Sequence, residues 1–199
     1  MKDKKVQVVE REELYCGFMT IARYRLSHEL HRSGWSPELV RERVEGLRAA
    51  SVLLYDPGLD AVVLVEQFRV GALEAGPGAW LLETVGGYVP PGESTADVAR
   101  REVLEETGCD VADLEHICDF YVSPGYSTEQ ISLFCGRVDA ANAGGVHGLP
   151  QEGEDILVRI FSADEAIAGL SNGVANSTSL IIGLQWLALH RSELRKRWN

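Results

Sequence analysis

Long apolar runs are missing from this sequence: no uninterrupted stretch of its 199 residues approaches the roughly 18 to 20 residues that a membrane-spanning helix needs. The opening MKDKKVQVVEREEL also lacks the apolar segment of a secretory signal. Basic excess is missing too. With 19 Lys and Arg against 30 Asp and Glu, the formal net charge is -11, which argues against nucleic-acid binding through a broad basic surface. Cysteine is scarce, and Cys16, Cys109, Cys118 and Cys135 form no CxxC pair, so the thiols are expected to be buried or inert rather than disulfide-bonded. The five histidines, His28, His31, His116, His147 and His190, show no zinc-ligand spacing. Together these absences predict a soluble cytoplasmic protein with neither a membrane nor a nucleic-acid partner. Any anionic substrate would be repelled by the global field and would have to be met by local arginines, backbone N–H groups or a bridging divalent cation.

What is present fits one globular domain with a small addition: 45% hydrophobic and 25% charged residues. Runs rich in β-branched and aromatic residues predict strands at Lys5–Val9, Met19–Leu26, Ala50–Tyr55, Ala61–Phe68, Trp80–Val85, Ile117–Val122, Ile131–Val138 and Ile156–Phe161. Three helices are expected. The first, Thr95–Thr107, starts at Ser94 and stops at Gly108; the second, about Ala163–Leu170, is capped by Ser162 with Glu165 three residues on. The third, about Ser179–Trp198, turns Leu180, Leu184, Trp186, Leu187 and Leu194 to a core and ends in Arg191, Arg195, Lys196 and Arg197, read as a solvated helix end. Strands and helices do not alternate regularly, which argues for α+β. Residues 1–45, with the polar Ser33–Pro37 stretch and an Arg/Glu-rich segment to Glu45, read as a small strand-rich N-terminal subdomain or dimerisation arm, and residues 46–199 as the main domain.

The segment that carries chemistry is Gly87–Cys109, GYVPPGESTADVARREVLEETGC. At about 100° per residue, Glu102, Glu105 and Glu106 fall within one arc of a helix starting at Thr95. Ala96, Ala99 and Val103 share an adjoining face suited to a sheet, Arg101 stands in reach of Glu105, and Glu93 lies just before the helix. Bare carboxylates in that density repel one another, and hard oxygen ligands so gathered are what Mg²⁺ or Mn²⁺ requires. Glycines and prolines on either side, Gly86-Gly87, Pro90-Pro91-Gly92 and Gly108, hold the acidic face at a fixed place.

The segment resembles the Nudix box, G-x5-E-x7-R-E-U-x-E-E-x-G-U with U apolar, at Gly87, Glu93, Arg101, Glu102, Val103, Glu105, Glu106, Gly108 and Cys109. The resemblance implies an α/β/α sandwich with a mixed sheet, and hydrolysis of a nucleoside diphosphate linked to another moiety with divalent metal held by the box. Outside the box the chain is similar to the bacterial ADP-ribose pyrophosphatase branch in ELYCGF, VEQFR, WLLETVGG, SPGYSTE, GGVHGLPQEGEDI and LQWLALH.

Carried over residue by residue, the resemblance implies metal ligation by the Gly86 carbonyl, Glu102 and Glu106, with Glu93, Glu105 and Glu154 in support. It implies Glu152 as the base that activates water, with Glu154 or Glu105 as the competitor for that role, and Glu105 and Arg101 as further catalytic residues. Arg69 is the candidate phosphate clamp, Glu129 a candidate for ribose hydroxyls, and Phe18 with Arg41 of the other subunit a candidate adenine sandwich in a homodimer. Gly144, Gly145, Gly148 and Gly153 are read as giving the Glu152 loop freedom to close, and His147 as structural. The substrate expected is ADP-ribose, cleaved to AMP and ribose 5-phosphate. The alternatives are another nucleotide sugar such as GDP-mannose, a non-catalytic ADP-ribose-sensing module, and a housecleaning hydrolase of damaged nucleoside triphosphates. The sensing module usually loses box glutamates, and the housecleaning hydrolase is a shorter chain without the Ser-Pro-Gly element.

Overall fold

A computed structural model describes residues 3–46, 48–76 and 78–198. The chain divides into two compact units, Met1–Arg48 with Tyr121–Gln130, and Ala49–Phe120 with Ile131–Asn199. The 121–130 segment, which the sequence reading left in the main domain, therefore belongs with the N-terminal strands. Its attachment is backbone pairing: Val44 N–H donates to Tyr126 O (2.8 Å) and Thr128 N–H to Val44 O (3.0 Å).

The first unit is an antiparallel sheet of β1 (Val6–Cys16), β2 (Thr20–His28) and β3 (Leu39–Glu45) in that order. β3 was not expected, because its sequence LVRERVE lacks apolar alternation. Its charges are answered across the sheet instead. Arg23 pairs with Glu12 on β1 and Glu42 on β3, and Arg25 pairs with Glu10 on β1 and with Glu38 just before β3, as opposite charges in register do. On the other face Glu45 accepts from Arg11, Arg43 and Tyr24, which hold its carboxyl down at about 2. Ala22 is the one hydrophobic side chain fully buried in these three strands, and every residue of β1 is exposed.

The second unit has eight strands: β4 (Arg48–Asp56), β5 (Ala61–Phe68), β6 (Trp80–Glu83), β7 (Val85–Tyr88), β8 (Asp113–Tyr121), β9 (Gln130–Arg137), β10 (Gly145–His147) and β11 (Ile156–Ser162). Its sheet runs β10-β11-β5-β4-β9-β8. β4 and β5 are antiparallel, whereas Val138 N–H donates to Tyr55 O (3.1 Å), so the C-terminal ends of β4 and β9 lie together and the sheet is mixed. The expected run Trp80–Val85 is two strands, not one. β4 and β5 pair only over Leu54–Asp56 and Ala61–Val63, then part; β6 pairs with β5 and β7 with β4, filling the fork. Thr84 makes the crossing, its hydroxyl on that of Ser51 at 2.7 Å.

Alternation along the strands gives the sheet two apolar faces. Val52, Leu54, Val63 and Val65 pack with Val98, Ala99 and Val103 of α1 (Thr95–Thr107), while Leu53, Tyr55, Val62 and Leu64 pack with α2 (Ala163–Asn172) and α3 (Thr178–Trp198). This is the α/β/α sandwich. Leu180, Leu184, Leu187 and Leu194 of α3 are all but fully buried, each stabilising by about 1.5 to 3 kcal/mol. The caps follow the sequence: the Ser94 hydroxyl accepts from Ala96 N–H, Gly108 stops α1 at φ 69°, and Ser162 and Glu165 form a capping box.

The basic end of α3 is not simply solvated. Arg191 binds Asp60 through Nε (2.8 Å) and also pairs with Asp164, Arg195 reaches the same Asp60 at 3.0 Å, and Arg197 pairs with Glu115. Asp60, in the β4–β5 turn at φ 55°, also accepts from the Tyr55 hydroxyl. All four cysteines are free, as expected; Cys109 and Cys135 are buried and burial pushes the Cys135 thiol well up, whereas Cys16 is exposed, as is every residue of β1. No described helix is long and apolar enough to cross a membrane.

Candidate active site

The acidic face of α1 lies against β7, the strand that brings Gly86 and Gly87 to it. Gly87 is a glycine for want of space: a Cβ there would fall onto the carboxyl carbon and both oxygens of Glu102. A Cβ on Gly86 would come within 2.7 Å of the Ala50 carbonyl. The strand thus passes beneath the helix with its backbone, not its side chains, turned to the carboxylates.

Glu106 is 2% exposed, and its Oε2 has no hydrogen-bond partner among the described residues. Burial, reinforced by the charges of Glu102 and Glu154, pushes its carboxyl up to about 8, against a smaller pull from the Gly86 N–H and Arg69. Burial also raises Glu102, with Arg101 opposing. A desolvated carboxylate with an orphaned oxygen, beside a second carboxylate, is unfavourable unless a cation or a proton joins it. Among the described residues no three His, Cys, Asp or Glu side chains are already drawn together as a cage. The donors on hand are therefore two glutamates, backbone carbonyls and whatever oxygens a substrate or water adds, which suits a hard divalent cation.

Arg101 was expected to steady Glu105. The two form an i,i+4 ion pair at 4.0 Å, and the arginine also hydrogen-bonds to Glu93 (2.9 Å) and Glu102 (3.1 Å). It thereby ties the residue before the helix to a box carboxylate and fixes the Glu102 rotamer over Gly87.

The segment 144–155 is better held than its glycines suggested. Gly144, Gly145, Gly148 and Gly153 all have positive φ, so they first permit the path of the chain. β10 pairs with β11, Gly148 N–H donates to Glu105 O (3.3 Å), and the His147 ring bonds Gly144 O (2.8 Å) and covers Gly108. Glu154 clasps the segment, its Oε2 accepting from Leu149 N–H at 2.8 Å. Glu152 ends a 3-10 turn, Pro150–Glu152, and is exposed. Of the two competing loop carboxylates, then, Glu154 is the one whose charge reaches Glu102 and Glu106, and Glu152 is the one whose carboxylate has no partner among the described residues.

Arg69 follows β5, and its Nε donates to Glu83 Oε2 at 2.6 Å. Glu83 was not among the sequence candidates; the only signal was a charge closing the apolar strand WLLE. The remaining candidates lie in the other unit. Phe18 is 90% exposed, Arg41 makes no ion pair among the described residues and bonds only Val40 O, and Glu129 N–H bonds the Ser127 hydroxyl.

Comparison with known proteins gives a family. The profile described as NUDIX domain matches residues 46–181. An ADP-ribose pyrophosphatase of Escherichia coli strain K12 is 42% identical over 193 residues, covering 97% of this chain and 92% of that one. One from Haemophilus influenzae is 40% identical over 196 residues, 97% and 90% of the two chains. A GDP-mannose pyrophosphatase of Cronobacter sakazakii is 35% identical over 153 residues, 75% and 78% of the two chains. Among solved structures, one titled as an ADP compounds hydrolase superposes with a TM-score of 0.70 at 18% identity, covering 94% of this chain and 96% of that one, a likeness of fold.

Proposed function

The chain belongs to the Nudix family, and on that premise we propose that it is a metal-dependent pyrophosphatase that hydrolyses ADP-ribose to AMP and ribose 5-phosphate. The observation that carries the chemistry is the buried, unpartnered Glu106 oxygen beside Glu102 under the box. The choice of substrate is supported by 40 to 42% identity over nearly the whole chain to ADP-ribose pyrophosphatases, against 35% over three quarters of it to a GDP-mannose pyrophosphatase.

Glu102, Glu106 and the Gly86 carbonyl are the proposed ligands, with Glu93, Glu105 and Glu154 in support, for Mg²⁺ or alternatively Mn²⁺. When bound, the cation supplies positive charge against a diphosphate that this acidic chain would otherwise repel, and lowers the pKa of water. Arg101 holds the Glu102 carboxylate in place through its hydrogen bond. Arg69 offers forked donors to the phosphates. Glu152 takes the proton of the attacking water. One Glu154 oxygen is held by Leu149 N–H, whereas Glu152 stands beside Gly153 at φ 74° on an exposed turn, able to swing to the water once substrate is bound.

The N-terminal unit supports a homodimer. Val6, Val8, Val9, Tyr15 and Phe18 are more than half exposed on a sheet without a core of its own, and a symmetric second copy is the economical cover. Phe18 and Arg41 of the partner subunit then sandwich the adenine, and Glu129 binds ribose. Sedimentation is expected to give twice the chain mass; a single-chain mass at micromolar concentration removes this assignment. Four free cysteines fit a reducing cytoplasm.

Incubation with ADP-ribose, GDP-mannose, ADP-glucose and NADH, each with Mg²⁺ and with EDTA, tests the reading. AMP is expected fastest from ADP-ribose and only with metal. GMP from GDP-mannose at a higher rate overturns the substrate, and no turnover of any of the four overturns the enzyme.

A further inference from the structure

We propose that Glu83 is a positioning residue, which draws the Arg69 guanidinium back along the sheet face toward the box and leaves its two terminal nitrogens to the substrate diphosphate. The proposal rests on the reading of the substrate as a nucleoside diphosphate sugar.

Register makes the case. Across β5 and β6, Val65 stands opposite Glu83 and Gln67 opposite Leu81, and Arg69 N–H continues the ladder to Ala79 O at 2.7 Å. Opposed residues share a face, as do alternate ones. Val65, Gln67, Arg69 and Glu83 are therefore on one face, and Val65 packs in the core that contains α1. Along the strand Arg69 is four residues, two same-face rungs and about 13 Å, past the level of Glu83. An arginine just beyond a strand end, with extended backbone (φ -129°, ψ 112°), would by default reach into solvent. Here it folds back over two rungs to a carboxylate whose side chain is only 17% exposed. The direction of that fold is toward the helix carboxylates, and the Arg69 charge registers at Glu106.

The contact also selects which edge of the guanidinium remains. Glu83 takes Nε, and no other side chain among the described residues bonds the group. The NH1/NH2 edge is left, two parallel donors spaced for two phosphate oxygens. Without Glu83 the side chain has several rotamers and two usable edges, and orienting it falls to the substrate.

The test is a double-mutant cycle on the full chain with ADP-ribose and Mg²⁺, using Glu83→Ala, Glu83→Gln, Arg69→Ala and the double variant Glu83→Ala/Arg69→Ala. A second readout without turnover is the Kd, by calorimetry, for an ADP-ribose analogue with a methylene between its phosphorus atoms. Glu83→Ala is expected to raise KM and Kd about tenfold or more, with the smaller change in kcat. The double variant is expected to be no worse than Arg69→Ala. Glu83→Gln keeps an oxygen for Nε and is expected to restore most of the binding; a metal ligand would not be rescued this way. Wild-type Kd in Glu83→Ala, additive losses in the double variant, or Glu83→Gln as damaged as Glu83→Ala each overturns the proposal. These outcomes presuppose an active or binding wild type. A wild type that neither cleaves ADP-ribose nor binds the analogue defeats the substrate reading, and the proposal with it.

Discussion

Gly87 and Glu102 occupy the same space by turns: the glycine has no side chain because the carboxylate of the glutamate lies where its Cβ would be. Gly87→Ala is therefore expected to push Glu102 off its place over β7 rather than to disturb the fold. A displacement of about 1 Å at a reacting group can cost on the order of a hundredfold. Steady-state kinetics should show kcat/KM down by about that factor with the melting temperature little changed. Near-normal kinetics would mean that the Glu102 position is immaterial to turnover.

Glu106→Gln separates activity from stability. The substitution replaces an ionisable proposed metal ligand with a neutral amide, so metal-dependent turnover should fall to near background. For stability the sign is that of a carboxyl raised above its unfolded value: its contribution is full below about pH 4.5 and is lost as pH rises through about 8. In EDTA at pH 9 the variant should melt higher than wild type, and the gap should close on acidification to pH 5. A lower melting point than wild type at pH 9 would contradict the burial of the charge.

The two loop glutamates should respond differently. Glu152→Gln is expected to lower kcat by about 10² to 10⁴ while substrate still binds, as loss of a general base does. Glu154→Gln retains an oxygen for Leu149 N–H and should keep kcat within about tenfold. The reverse pattern would transfer the base to Glu154.

Acid stability should depend on Asp60. Arg191, with help from Tyr55 and Arg195, holds its carboxyl down from 3.8 to about 2. A depressed carboxyl stabilises above its unfolded pKa, and that stability fades as pH falls from about 4 to about 2. Chemical denaturation of wild type and Asp60→Asn should differ by up to about 2 kcal/mol at pH 5 and converge near pH 2. A pH-independent difference would assign the effect to the turn instead. Asn tolerates the left-handed φ of 55°, which keeps the comparison clean.

What the sequence disclosed was local. Glu102, Glu105 and Glu106 can be placed on one face from helical spacing alone, and Ser94, Gly108 and the Ser162–Glu165 box mark helix ends with residues at most three apart. What it withheld depends on register between distant segments. β3 is a strand whose Arg and Glu residues are answered by partners on β1 and β2, so no apolar alternation betrays it. The carboxylate that accepts from Arg191, Asp60, lies 131 residues away, so a clamped helix end reads as a solvated one. Glu83 meets Arg69 across 14 residues only because β6 turns back along β5, and the single apolar run Trp80–Val85 conceals the point where the chain changes partners.

That change of partners acts as a ruler. Thr84 alone carries the chain from pairing with β5 to pairing with β4, so the arginine's anchor, Glu83, and the carbonyl of Gly86 are three positions apart, a span of at most about 10 Å. Neither end can drift, because each is pinned in a ladder of its own. The interval suits the part that nucleotide sugars have in common, the diphosphate. Substrate preference in such a scaffold has to change elsewhere, and an insertion at Thr84 would cost hydrolysis of every substrate alike.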